Sequence, residues 1–84
     1  MKPIVVYTSD YCGYCRAAKA LLTSKGVSFQ EIDVTQDAAL RQEIMQRSGR
    51  RTVPQIFIGD ESVGGFTELK ALNDSGELDQ KLVD

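Results

Sequence analysis

Two cysteines stand two residues apart at Cys12-Gly13-Tyr14-Cys15, and they are the only cysteines in an 84-residue chain that contains no histidine. The thiolate is the form of cysteine that attacks disulfides and binds metals, and an ordinary thiol is mostly protonated at neutral pH. Composition removes most of the chemistry such residues can do. Without histidine there is no Cys/His hydrolase and no zinc site that needs imidazole. Two thiols also fall short of a four-cysteine metal site within one chain. A bridge between Cys12 and Cys15 closes a loop too small to remove much unfolded-state entropy, so it is a poor structural staple. A secreted disulfide scaffold would carry more cysteines at wider spacing. Thiol–disulfide redox chemistry remains, beside half of a metal site shared between two chains.

Local context favours the redox reading over two unrelated small core residues. The segment Pro3–Tyr7 is a β-branched run that reads as a buried strand. From Tyr14 to Lys25 the residues are good helix formers, with Ala17, Ala18, Leu21 and Leu22 at helical spacing and Gly26 as a stop. The cysteine pair therefore lies where a strand gives way to a helix. A helix N-terminus has unpaired N–H groups and partial positive charge, both of which favour a thiolate. Cys12, before the helix, is the better placed nucleophile. Cys15, about one turn in, is near enough to resolve a mixed disulfide on Cys12 and is more shielded. Arg16 and Lys19 add positive charge on the same helix.

The remaining pattern predicts a strand over Val27–Val34, so strand, helix and strand form a βαβ unit with parallel strands. Asp37 is placed to cap a second helix running to Gln46 or Arg47, with Leu40, Ile44 and Met45 as its apolar stripe and Gly49 after it. Gln55–Ile58 reads as a third strand, Gly59-Asp60 as a hairpin turn and Glu61–Val63 as a short antiparallel fourth strand. A third helix is expected from Thr67 to about Asn73, and a last short one over Glu77–Val83. Two further motifs are ambiguous by themselves. Thr52-Val53-Pro54 places a proline directly before strand residues, where an ordinary trans proline would serve. Gly64-Gly65 before a helix is either a flexible turn or a close-approach site for a carboxylate.

Size and charge set outer bounds. The 84 residues fit one domain with a limited core. A net charge of −2 with mixed signs gives no basic face for nucleic acid. No apolar run approaches the roughly 20 residues of a membrane span, and the start is too short and too weakly basic for a signal peptide. The expected location is the cytoplasm.

Taken together, Tyr11-Cys12-Gly13-Tyr14-Cys15, Thr52-Val53-Pro54, Gly64-Gly65 and the elements between them resemble the glutaredoxin family, across roughly residues 4–82. The resemblance implies an α/β, thioredoxin-like fold: a four-stranded mixed sheet flanked by helices, in the order βαβαββα plus a short C-terminal helix. It implies a cis bond between Val53 and Pro54 that sets this loop beside Cys12. It implies glutathione as the reducing cosubstrate, no bound prosthetic group, and glutathionylated or disulfide-bonded proteins as partners of a monomer. Cys12 would be the nucleophile and Cys15 the resolving thiol. Val53 would pair with the cysteinyl part of glutathione, Tyr14 would line the groove, and the N–H groups after Gly65, at Phe66 and Thr67, would hold the γ-glutamyl carboxylate. Arg41 or Arg51 would meet the glycyl carboxylate.

The chain also departs from the family pattern. Many dithiol members have Pro where Gly13 stands and a basic residue where Ser9 stands. Phe66 and Thr67 replace a common Cys followed by Asp or Ser. Some members lacking that Pro bind a 2Fe–2S cluster, so the alternative is a glutathione-ligated cluster dimer with Cys12 from each chain as a ligand. A thioredoxin fed by a flavoprotein reductase fits less well. The chain has no Trp, and it carries Tyr14 and Gly64-Gly65.

Overall fold

Side chains alternate along β1 (Ile4–Thr8), and that alternation divides the core in two. The computed structural model describes residues 1–83. Ile4 and Val6 point into one apolar cluster, while Val5 and Tyr7 belong to another on the opposite face of the sheet. The elements that follow are α1 (Gly13–Ser24), β2 (Gln30–Asp33), α2 (Ala38–Ser48), β3 (Gln55–Ile58), β4 (Glu61–Gly64), α3 (Phe66–Ser75) and α4 (Glu77–Leu82). The sheet order is β2-β1-β3-β4. β1 runs parallel to β2 and antiparallel to β3, and β3 runs antiparallel to β4. This is the mixed four-stranded α/β architecture that the resemblance implied.

Helices cover both faces. Ala18 and Leu22 from α1, Leu69 from α3, and Leu78 and Leu82 from α4 fill the first cluster with Ile56 and Ile58. Ile44 from α2 fills the second, against Tyr7, Val34 and Phe57. Every residue of β3 is buried, as expected for a strand inside the sheet with helices above and below.

Several expected boundaries move by a residue or more, most at β2 and α3. The second strand was expected from Val27 but pairs only from Gln30, opposite Val5. The Val27 N–H bonds to Leu22 O instead, closing the end of α1, and Val27 and Phe29 pack against the first cluster from outside the ladder. The third helix begins one residue early and runs on to Ser75, where Gly76 turns left-handed at φ 83°. Asp37 caps α2 as expected, its Oδ1 accepting the Leu40 N–H at 3.0 Å, and Gly49 closes that helix.

Candidate active site

Cys12 sits at the N-cap of α1 in an extended conformation. Its Sγ accepts the backbone N–H of Cys15 at 3.1 Å, the task usually given to a serine or aspartate oxygen. The two cysteines are joined as a disulfide. They differ in access: Cys15 is 2% exposed beneath the first turn, while Cys12 is only partly covered. An incoming sulfur therefore meets Cys12 first. Before it, Tyr11 adopts a left-handed φ of 58° and stands fully exposed.

The loop before β3 comes to the same place. The Val53–Pro54 bond is cis, and Val53 O lies 3.8 Å from Cys12 Sγ. The loop is anchored from below by Gln55, which is almost fully buried and donates from Nε2 to Arg50 O at 3.0 Å. Arg50 N–H in turn donates to Ser48 Oγ at 3.0 Å.

The third contribution is the β4–α3 junction, where two glycines are needed for different reasons. Gly64 has φ 107°, and a Cβ there would come within 2.8 Å of the Glu68 side chain. At Gly65 a Cβ would press on Pro54 O at 3.3 Å, so a side chain there would push the junction a few tenths of an ångström from the cis-proline loop. α3 then starts at Phe66, and its first N–H groups have no intrahelical partner. Glu68 Oε1 reaches back to accept the Gly65 N–H at 2.8 Å, the half of a capping box that a glycine cap permits. That hydrogen bond, aided by the charge of Arg50, holds the Glu68 carboxyl below its ordinary value despite some desolvation. Arg50 Nη1 lies 3.4 Å from the same oxygen.

These three pieces enclose an open groove of about 260 Å³. Tyr14, Val53, Pro54, Gly65, Phe66 and Thr67 all lie along it. Tyr14 stacks on Phe66 with ring centroids 6.1 Å apart, bridging the starts of α1 and α3. The arginine on its wall is neither of the two expected. Arg51 lines a separate hollow with Gln42, Met45 and Gln46, and Arg41 lies on α2, away from the groove lining. Arg50 lines the groove, and Thr52 and Glu68 complete the wall. An acidic residue three places after a glycine cap was the available signal for Glu68. No sequence pattern distinguished Arg50 from its neighbour Arg51. Among the described residues no group of three or more His, Cys, Asp or Glu could hold a metal ion, and no helix is long and apolar enough to cross a membrane.

The family model described as Glutaredoxin matches residues 4–63. Over 82 residues the chain is 52% identical to Glutaredoxin 3 of Escherichia coli (strain K12), covering 98% of this chain and 99% of that protein. The chain belongs to the glutaredoxin family. Among solved structures, this glutaredoxin superposes on the buckwheat glutaredoxin–glutathione complex with a TM-score of 0.89 at 34% identity, over 96% of this chain and 76% of the other. It is also similar to a structure concerned with metal binding of glutaredoxins, at 51% identity and a TM-score of 0.75, over 98% and 89% of the two chains. With its family and its Cys12–Cys15 pair, the chain is a thiol–disulfide oxidoreductase.

Proposed function

We propose that this glutaredoxin draws its electrons from glutathione and reduces protein–glutathione mixed disulfides and protein disulfides. The observation that supports this best is the position of Cys12. Its sulfur stands beside a groove that offers the Val53 backbone, the Tyr14 ring, the free N–H groups of Phe66 and Thr67, and the charge of Arg50. Glutathione is a tripeptide with a carboxylate at each end and a central thiol, and this groove has complementary groups for all three. Val53 would hold the cysteinyl backbone, while Phe66 and Thr67 would hold the γ-glutamyl carboxylate. Arg50, rather than Arg41 or Arg51, would give the groove its cation.

The steps follow from which sulfur is accessible. In the reduced enzyme the Cys12 thiolate, favoured by the Cys15 N–H and the helix terminus, attacks the glutathionyl sulfur of a mixed disulfide. The Cys12–glutathione bond forms, and the protein thiolate leaves and takes a proton from water. A second glutathione thiolate attacks the bound glutathionyl sulfur, releasing glutathione disulfide and restoring the Cys12 thiolate. On a protein disulfide Cys12 forms a mixed disulfide with the protein. The Cys15 thiolate then attacks the Cys12 sulfur, expelling the second protein thiol and leaving the Cys12–Cys15 bond. Two glutathiones reduce that bond again. A turnover assay coupled to glutathione and its reductase, set against thioredoxin and its reductase, tests the electron source. Turnover only with the thioredoxin system would overturn it.

A glutathione-ligated 2Fe–2S dimer is the second reading, motivated by Gly13 standing where the resemblance leads one to expect Pro, and by the similarity to a structure concerned with metal binding of glutaredoxins. One chain does not supply the donor set, because among the described residues Cys12 is the only cysteine that is not buried and a cluster of this type takes four thiolates. Two chains and two glutathiones would be required. Anaerobic purification with glutathione decides it: a colourless monomer removes this reading and a coloured dimer establishes it.

A further inference from the structure

β3 is buried along its whole length, yet it opens on an amide. Gln55 is 1% exposed, as deep as its apolar neighbours Ile56, Phe57 and Ile58. Buried amides are normally paired at both polar atoms, and this one is paired at one. Nε2 donates to Arg50 O at 3.0 Å, whereas Oε1 is buried with no hydrogen-bond partner among the described residues. An acceptor left unsatisfied costs stability that an apolar side chain of the same length would not lose. Fold stability therefore gives no reason for glutamine here, and the reason must lie in the one bond that it makes.

That bond stitches the α2–β3 loop across its own span. The Gln55 backbone is fixed in the sheet opposite Tyr7, so its side chain is a post set in a rigid strand. From there it holds the carbonyl five residues back, closing a ring around residues 51–54. Arg50, Thr52, Val53 and Pro54 of this stitched segment all line the groove, and Gln55 itself does not. We propose that Gln55 is a positioning residue for glutathione: its amide sets the loop so that the Val53 backbone and the Arg50 side chain face the tripeptide together. The inference rests on the proposed glutathione reading and adds to it a residue outside the groove. The reacting sulfur is supported separately, since Cys12 Sγ accepts the Cys15 N–H within α1. The Val53 carbonyl 3.8 Å from that sulfur is an acceptor and gives a thiolate no support. Releasing the loop thus weakens the capture of glutathione and leaves the thiolate as it was.

Gln55→Met tests this, because it keeps the length of the side chain and removes both polar atoms. Its KM for glutathione, measured with a small glutathione mixed disulfide at saturation, is expected to rise about fivefold, the usual worth of one hydrogen bond. Its kcat should stay within about twofold of native, and so should the rate at which iodoacetamide alkylates Cys12 in the reduced enzyme. Its Tm should equal or exceed that of the native chain, because the orphaned Oε1 is gone and exposed Arg50 can turn its carbonyl to water. A KM within about twofold of native overturns the proposal. So does a Tm lower by more than about 5 °C, which would assign the amide to the fold, or a changed alkylation rate, which would place its effect on the sulfur. A native chain that does not turn over with glutathione overturns the electron source and this proposal with it, whereas native turnover that Gln55→Met leaves untouched overturns this proposal alone.

Discussion

At Cys12 the sulfur performs a structural and a chemical task with the same lone pairs, accepting the Cys15 N–H and standing at the mouth of the groove. Cys15 is buried and bonded to Cys12. Replacing Cys12 by Ser is expected to reduce deglutathionylation to the uncatalysed rate, while Cys15→Ser keeps most of it and loses reduction of protein disulfides. Activity remaining in the Cys12 variant would reverse the roles. Arg50 is the cation on the groove wall, and it shares the solvent-exposed Glu68 carboxylate. Arg50→Gln should raise the KM for glutathione about fivefold, close to 1 kcal/mol for a partly exposed charge, whereas Arg51→Gln should leave it unchanged. Equal effects at both positions would restore the expectation drawn from the sequence. Ser9 stands where the resemblance drawn from the sequence leads one to expect a basic residue, so Ser9→Lys is expected to tighten glutathione binding, read by titration; no gain would show that the missing charge is immaterial here.

The junction between β4 and α3 carries the greatest constraint among the elements. Gly64→Ala has to accommodate both a φ of 107° and contact with Glu68, so it is expected to cost about 2 kcal/mol and to lower Tm by roughly 10 °C. A shift of under 2 °C would mean that the junction relaxes freely. Glu68 gives α3 a pH dependence. The Gly65 N–H and Arg50 hold its carboxyl below the ordinary 4.5 in the folded state. The stabilisation is therefore complete above the ordinary value and disappears as pH falls through the lowered one. The Tm difference between the native chain and Glu68→Gln should be present at neutral pH and shrink in acid, and a constant difference would contradict this. The elements themselves were legible because strand alternation, helical spacing and glycine stops agree. The start of β2 was not, since Val27 and Phe29 are apolar and strand-like but spend their contacts on α1 and the first cluster. The identity of the groove arginine was equally hidden. Arg50 and Arg51 are neighbours in one loop, and only the folded backbone, tied to buried Gln55 through the Arg50 carbonyl, shows that Arg50 lines the groove and Arg51 a separate hollow.

Across the whole molecule, two apolar clusters on opposite faces of a thin sheet hold the three parts of the site in register. α1 and α3 share the first cluster through Ala18, Leu22 and Leu69, and Phe66, which stacks on Tyr14, packs against it. α4 packs into that cluster too but contributes nothing to the groove. Leu78→Ala is expected to cost about 3 kcal/mol and lower Tm by roughly 12–20 °C, with exchange rates at temperatures well below the transition unchanged. A loss of rate in the still-folded variant would show that stability and the site are coupled through α4. Family membership was legible from three short motifs and the elements between them, because each motif fixes a backbone that the chemistry needs: a helix start, a cis-proline loop and a glycine junction. The central claim is that Cys12 passes electrons from glutathione to disulfides. Its most direct test is glutathione-coupled turnover of a small glutathione mixed disulfide by the native chain and both cysteine variants. Turnover is predicted for the native chain and Cys15→Ser but not for Cys12→Ser, and an inactive native chain, or an active Cys12 variant, would contradict the account.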